Sequence, residues 1–182
     1  MSTASTHPAG TYDVDAIRAE FPLLQRTVHD KPLIYLDSAA TMPKPQAVLD
    51  AVAAYDTHCT ANVHRAVHEL SNEATEQYEA ARRALAGFIN APSHEEVIWT
   101  SGATASMNLF AQSWGMANLK AGDHVLISAM EHHANIVPWQ LLRDAIGIEL
   151  HVVPIADDGT LTCDAVLDAI TDRTKLILIA WI

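Results

Sequence analysis

From residue 96 onward the chain alternates strand-sized apolar runs with helix-length segments, and this alternation restricts the fold more than any other feature. Residues 96–100, 124–128, 149–155 and 175–182 read as strands; 103–119, 136–146 and 163–170 read as helices. The strand cores Val97-Ile98-Trp99, Val125-Leu126-Ile127 and Leu176-Ile177-Leu178-Ile179 are near-continuously apolar, as expected of strands buried on both faces. Turns such as Lys120-Ala121-Gly122-Asp123 and Asp157-Asp158-Gly159-Thr160 separate the units. Helical crossovers between strands imply an α/β fold with a mostly parallel sheet covered by helices on both faces.

The preceding half is less regular. Residues 1–12 are small and polar, with neither the basic start nor the apolar stretch of a secretory signal, and are expected to form a disordered leader. Val14, Ile17, Phe21 and Leu24 suggest a short helix broken near Pro22, and Leu33-Ile34-Tyr35-Leu36 a short strand. Pro43 and Pro45 open a helix running to about His58. Ser71 is the expected cap of a further helix, whose apolar stripe is Ala74, Tyr78, Ala81, Leu85 and Phe88.

Composition narrows the function classes. Asp and Glu number 22 against 11 Lys and Arg, which argues against a nucleic-acid or anionic-membrane binder. No apolar run approaches the roughly 18 residues that span a bilayer. Two cysteines cannot build a disulfide framework, and the expected setting is the cytoplasm, with reduced thiols. Cys59 falls near an expected helix C-terminus, where the dipole disfavours a thiolate, and Cys163 has no base beside it in sequence; both read as structural.

Three segments carry chemistry-bearing residues. Thr100-Ser101-Gly102-Ala103-Thr104-Ala105-Ser106 follows an expected strand and opens an expected helix, where unpaired N–H groups and the helix dipole favour a phosphate. The same residues also suit an ordinary Ser/Thr-capped turn. Glu131-His132-His133-Ala134-Asn135-Ile136-Val137-Pro138-Trp139 again lies between strand and helix, at the strand end where α/β proteins bind ligands. Its imidazoles suit stacking on an aromatic cofactor or proton exchange, Asn135 suits a helix cap, and the ligand spacing of a zinc site is absent. Asn62-Val63-His64-Arg65 offers a guanidinium for a substrate carboxylate, or simply a solvated loop.

Taken together, Leu36-Asp37-Ser38-Ala39-Ala40-Thr41, Asn62-Val63-His64-Arg65, Gly102-x-Thr104-x-x-x-Asn108-Leu109 and the Glu131–Trp139 string resemble, in this order, the SufS/CsdA-like class II cysteine desulfurases of the aminotransferase class V superfamily. The resemblance runs from about Val14 to the last residue. It implies fold type I of the pyridoxal-phosphate-dependent transferases, incomplete in this chain. Residues 13–60 would serve the small domain and substrate entrance, and 61–182 the first part of the large cofactor-binding domain. It implies pyridoxal 5'-phosphate as cofactor, with Ala103 and Thr104 on its phosphate and His132 stacked on its ring and acting in proton transfer. Ala39, Ala40, His64 and Arg65 would line the substrate entrance, the last two near the neighbouring subunit's site in a homodimer.

The implied reaction takes sulfur from L-cysteine onto an enzyme cysteine as a persulfide, releases L-alanine, and passes the sulfur to an acceptor of iron–sulfur assembly. L-selenocysteine, or the substrate of another class V enzyme, is the alternative, and a non-catalytic partner-binding fragment is the reading of a different class. The sequence departs from the family pattern at Ala105, where an acid is usual. None of Lys31, Lys44, Lys120 and Lys175 has the small-residue-His-Lys context of the family's Schiff-base lysine, and neither cysteine matches the persulfide position. The 182 residues alone are therefore expected to be inactive.

Overall fold

The computed structural model describes residues 13–65 and 67–180. The expected leader and the last two residues of the expected final strand lie outside them. The chain divides into two compact units, one through Val97 and one from Ile98.

In the first unit, Asp13 caps α1 (Val14–Ala19) by accepting from the Ala16 N–H at 2.9 Å. A 3₁₀ turn at Pro22–Gln25 follows, so the break expected near Pro22 is present. The Arg18 guanidinium donates to the carbonyls of Leu24 and Leu33 at 2.9 and 2.7 Å and ties this turn to the chain beyond a small hairpin. That hairpin pairs β1 (Thr27–Val28) with β2 (Lys31–Pro32), and His29 and Asp30 supply the positive φ its two-residue turn requires.

The strand expected at 33–36 does not form. The segment runs on from β2 without joining a sheet among the described residues, and Ile34 and Leu36 are exposed. Helix α2 (Gln46–His58) starts just behind Pro45, as the prolines indicate.

Helix α3 (Glu69–Phe88) corrects the expected cap. The capping side chain belongs to His68, whose Nδ1 accepts from the Ser71 N–H at 3.3 Å. Ser71 lies inside the first turn, buried, and donates its hydroxyl to the Asn62 carbonyl at 2.7 Å. A serine there is more useful bridging to the loop than capping, because a buried hydroxyl must find a partner. The expected apolar stripe is only partly used: Ala74 is buried, while Phe88 is 85% exposed.

The second unit holds a three-stranded parallel sheet in the order β4-β3-β5, made of β3 (His124–Ser128), β4 (Glu149–Val153) and β5 (Thr174–Leu178). All five residues of central β3 are buried, as its apolar run requires. β5 alternates half-buried and exposed residues, whereas β4 is fully buried only at Val153. β5 carries an irregularity where Val125 pairs with Leu176 although His124 pairs with Thr174, so Lys175 has no opposite residue. The α/β class with parallel strands and helical crossovers holds. The strand expected at 96–100 does not: residues 94–96 form a 3₁₀ turn, and 97–100 join no strand among the described residues.

The core under β3 is Ala111, Leu119, Val125, Ile127, Trp139, Leu142 and Ile148. Trp139 and Leu142 come from α6 (Val137–Ile146), which has Pro138 in its first turn. Ala111 comes from a helical run that begins as α4 (Ala103–Phe110), loosens into a π turn at Ala111–Gly115 and ends as α5 (Met116–Asn118). Gly115 is needed for close approach: a Cβ there would meet Leu142 Cδ2 at 2.9 Å and Trp139 Cζ3 at 3.3 Å. The last helix, α7 (Cys163–Ala169), follows its cap Thr162 and packs on β4.

Candidate functional site

The first anion-seeking segment is built as its residue types require. Gly102 stands before α4 at φ 148° and ψ 176°, a backbone region essentially reserved for glycine, and no side chain caps the helix. The Thr100 and Ser106 hydroxyls lie 2.7 Å apart and at 3.1 and 3.3 Å from the Gly102 carbonyl, so one hydroxyl donates to the other and that one to the carbonyl. These hydroxyls rigidify the turn instead of capping the helix. The N-terminal N–H groups of Ala103 and Thr104 lie in the turn the helix leaves unpaired, at exposed positions. The Asn108 amide donates back to the Thr104 carbonyl at 2.8 Å and braces the first turn.

The second segment follows β3. His132 is exposed and caps a 3₁₀ turn at His133–Asn135, its Nδ1 accepting from the Ala134 N–H at 3.1 Å. An accepting Nδ1 carries no proton, so the neutral ring bears its proton on Nε2. The expected role of Asn135 as helix cap is corrected. Asn135 is buried; it donates its amide to Glu131 Oε2 at 2.7 Å and accepts from the Trp139 indole N–H at 3.4 Å.

Glu131 is the residue that sequence reasoning undervalued. Its Oε1 accepts from the Ser128 hydroxyl at 2.6 Å and from the Ala180 N–H at 2.8 Å. One carboxylate thus joins the end of β3, the His132 turn and the chain beyond β5. The signal was present in sequence as a glutamate four residues before a buried asparagine, but the partner at Ala180 is 49 residues away and could come only from the sheet order. Burial pushes this carboxyl up. The hydrogen bonds from Ser128, Asn135 and Ala180 outweigh that and hold it below the usual glutamate value.

Its folded-state pKa therefore lies below its unfolded one. Its stabilisation is complete above the unfolded value near 4.5 and is lost as pH falls through the folded value. Glu131→Gln is expected to cost about 1–3 kcal/mol at neutral pH and to flatten the acid limb of the stability curve. Urea midpoints measured from neutral pH down through the glutamate range check this; equal acid limbs in both proteins would contradict it.

The 3₁₀ turn beside His132 packs against α4, so the Gly102-led helix and the imidazole loop are neighbours in the second unit. Phe110 of α4 meets Trp139 edge to face at 5.9 Å and fixes that neighbourhood from below.

The remaining expected site residues lie in the first unit. Ala39 and Ala40 sit on an exposed turn whose N–H groups at Ala40 and Thr41 both donate to the Asp37 carbonyl, at 3.2 and 3.1 Å. His64 has φ 61° and is held by its partners: its N–H donates to the Thr75 hydroxyl at 3.1 Å, and its Nε2 lies 3.0 Å from Glu79 Oε1. Arg65 beside it is exposed. Cys59 is buried and Cys163 exposed, and both are free thiols.

The sequence model of aminotransferase class V matches residues 34–182. The chain belongs to this family. Among curated relatives, it is 52% identical over 169 residues to a cysteine desulfurase of Klebsiella pneumoniae, covering 93% of this chain and 42% of that one. A Salmonella newport cysteine desulfurase is 49% identical over 172 residues, with 94% and 42% covered.

Among solved structures, the cysteine desulfurase CsdA of Escherichia coli superposes with a TM-score of 0.76 at 34% identity, over 92% of this chain and 41% of that one. The apo cysteine desulfurase of Thermococcus onnurineus NA1 gives 0.81 at 33% identity, over 94% and 41%. The chain thus spans about 42% of the length of the curated relatives it matches. Among the described residues, no helix is long and apolar enough to cross a membrane.

Proposed function

We propose that these residues form the phosphate-binding and substrate-entrance part of a pyridoxal-phosphate-dependent cysteine desulfurase acting on L-cysteine. The observation that carries the reading is the side-by-side placement of an uncapped, glycine-preceded helix N-terminus and a His-bearing turn in one class V unit. The uncapped N–H groups of Ala103 and Thr104 suit a phosphate, and the His132 ring beside them suits a flat aromatic ring. Pyridoxal phosphate, when bound, supplies an electron sink that eases the breaking of bonds at the substrate's α- and β-carbons.

The chain's own residues then have separable tasks. Ala103 and Thr104 hold the phosphate, and Gly102 keeps that end of the helix open. His132 presents its Nε2–H as a proton donor while Ala134 fixes the ring through Nδ1. Glu131 and Asn135 hold the turn that carries it. Ala39, Ala40, His64 and Arg65 form the substrate entrance, with residues 13–60 serving the small domain and 61–182 the large one. Arg65 offers the fork for the substrate carboxylate. A homodimer, a cytoplasmic setting and delivery of sulfur to an acceptor of iron–sulfur assembly belong to the same reading.

Lys120 and Lys175 stand at the N-terminal ends of β3 and β5, opposite the end that carries His132. Neither suits covalent attachment of the cofactor at the proposed site. The 182-residue chain is therefore expected to take up pyridoxal phosphate reversibly, with no lysine adduct fixed by borohydride. A protein of the relatives' length carrying these residues is expected to release L-alanine from L-cysteine, and His132→Ala to lower turnover by about 10²–10⁴-fold. Mass spectrometry after borohydride and an alanine assay read the two outcomes. A trapped lysine in the chain alone, or full turnover without His132, would overturn the assignment. Faster turnover of L-selenocysteine than of L-cysteine would move the substrate within the same site.

A further inference from the structure

At the other end of the sheet, the first residues of β3 and β4 and the turn before β5 bring together groups that are remote in sequence. β3 and β4 pair in parallel with His124 opposite Glu149, which also places His151 nearby. The imidazoles of His124 and His151 stack with ring centroids 4.1 Å apart. His124 is only 3% exposed, and its Nε2 is buried without a hydrogen-bond partner. That nitrogen points toward the cluster: it lies 3.3 Å from Glu149 Oε2, at an angle that makes no hydrogen bond. His151 Nε2 lies 3.4 Å from the same oxygen.

We propose that His124 Nε2, His151 Nε2 and Glu149 Oε2 form a binding site for a divalent transition-metal ion of the zinc class. The donor set is two imidazoles and one carboxylate, and the three ligand atoms lie within 4.8 Å of one another. Ligands about 2.0–2.1 Å from a tetrahedral ion lie about 3.3 Å apart. The two nitrogen-to-oxygen separations, 3.3 and 3.4 Å, have that length.

The outer contacts are those a metal site needs. With His124 Nδ1–H donating to the Thr171 hydroxyl, 3.0 Å away, Nε2 carries the lone pair a metal needs. Arg173 donates to Glu149 Oε1 at 3.2 Å and turns Oε2 toward the histidines. His151 is 41% exposed at the side chain and free to tilt out of the stack so that both lone pairs converge, with water completing the tetrahedron. His132 lies beyond the opposite end of β3, so a bound ion would fasten the strand starts and take no part at that turn.

Zinc titration of the 182-residue chain by calorimetry, followed by thermal melts, tests the site. The expected result is one equivalent bound, a zinc-dependent rise in Tm, and about a hundredfold weaker binding in both His151→Ala and Glu149→Gln. His58→Ala, a histidine outside the cluster, is expected to bind as the native chain does. His151 and Glu149 are both part-exposed, so melts without metal show directly that the variants fold. No stoichiometric binding by the native chain, or variants that bind as tightly as it does, overturns the proposal. Cobalt(II) gives an independent reading: tetrahedral d–d absorption in the native chain that is lost in His151→Ala supports it, and octahedral absorption overturns it.

Discussion

Trp139→Ala is expected to destabilise the second unit by about 3–5 kcal/mol, the largest effect of any single substitution outside the backbone-restricted positions. Trp139 is fully buried and lies in the core beneath β3 with Val125, Ile127 and Leu142. Its ring meets Phe110 edge to face at 5.9 Å, and its indole N–H donates to Asn135 at 3.4 Å. Truncation opens a cavity that the sheet cannot collapse into, and it leaves the buried Asn135 carbonyl without its donor. A domain stable by about 5–15 kcal/mol then stands near its unfolding threshold. Trp139→Phe keeps most of the volume and loses the hydrogen bond, so a loss of about 1–2 kcal/mol is expected. Urea unfolding followed by far-ultraviolet circular dichroism separates the two variants; equal midpoints for Trp139→Ala and the native chain would refute the packing argument.

The second large effect falls on ligand binding rather than on the core. Gly102 holds φ 148° with open space around the position a Cβ would take, so Gly102→Val meets no wall but cannot keep the backbone. The cost of about 1–3 kcal/mol for a non-glycine residue in that region is relieved by shifting the first turn of α4. Since the Ala103 and Thr104 N–H groups are that turn, the affinity for pyridoxal phosphate is expected to fall by about 10–100-fold. Fluorescence titration with the cofactor measures it. Gly102→Ala is expected to fall between the native chain and Gly102→Val, because β-branching restricts the backbone further. Unchanged affinity in Gly102→Val would place the phosphate elsewhere.

The contrast between these two residues shows what sequence can carry. The apolar run at 125–127 and the helix-length spacing around it were sufficient for β3, α6 and the parallel order, because burial of a central strand imposes its own pattern. Residues 33–36 and 97–100 have equally strand-like composition and pair with no strand among the described residues. Composition reports what a segment prefers to bury, whereas pairing depends on a neighbour that lies elsewhere in the chain.

The site divides the same way. The proposed residues Gly102, Ala103, Thr104 and His132 could be picked out because each lies in a local turn that opens a helical segment. Glu131 and Asn135 were visible as letters but not as a brace, since the Ala180 N–H comes from another strand's end. Glu149 and His151 share the alternate spacing of one strand face, but His124 comes from a different strand. The register of β3 against β4 makes them neighbours.

The π turn at Ala111–Gly115 has a further consequence. It adds a residue between the part of the helical run that is wedged against Leu142 and the part that begins at Ala103. An α-helix rotates about 100° per residue, so that added residue sets the azimuth of the amino end relative to the sheet. The count of residues in this short wide turn, more than their chemistry, therefore decides where the Ala103 and Thr104 amides aim. A one-residue deletion in this turn is expected to redirect the amides while leaving the hydrophobic contacts beneath the sheet in register.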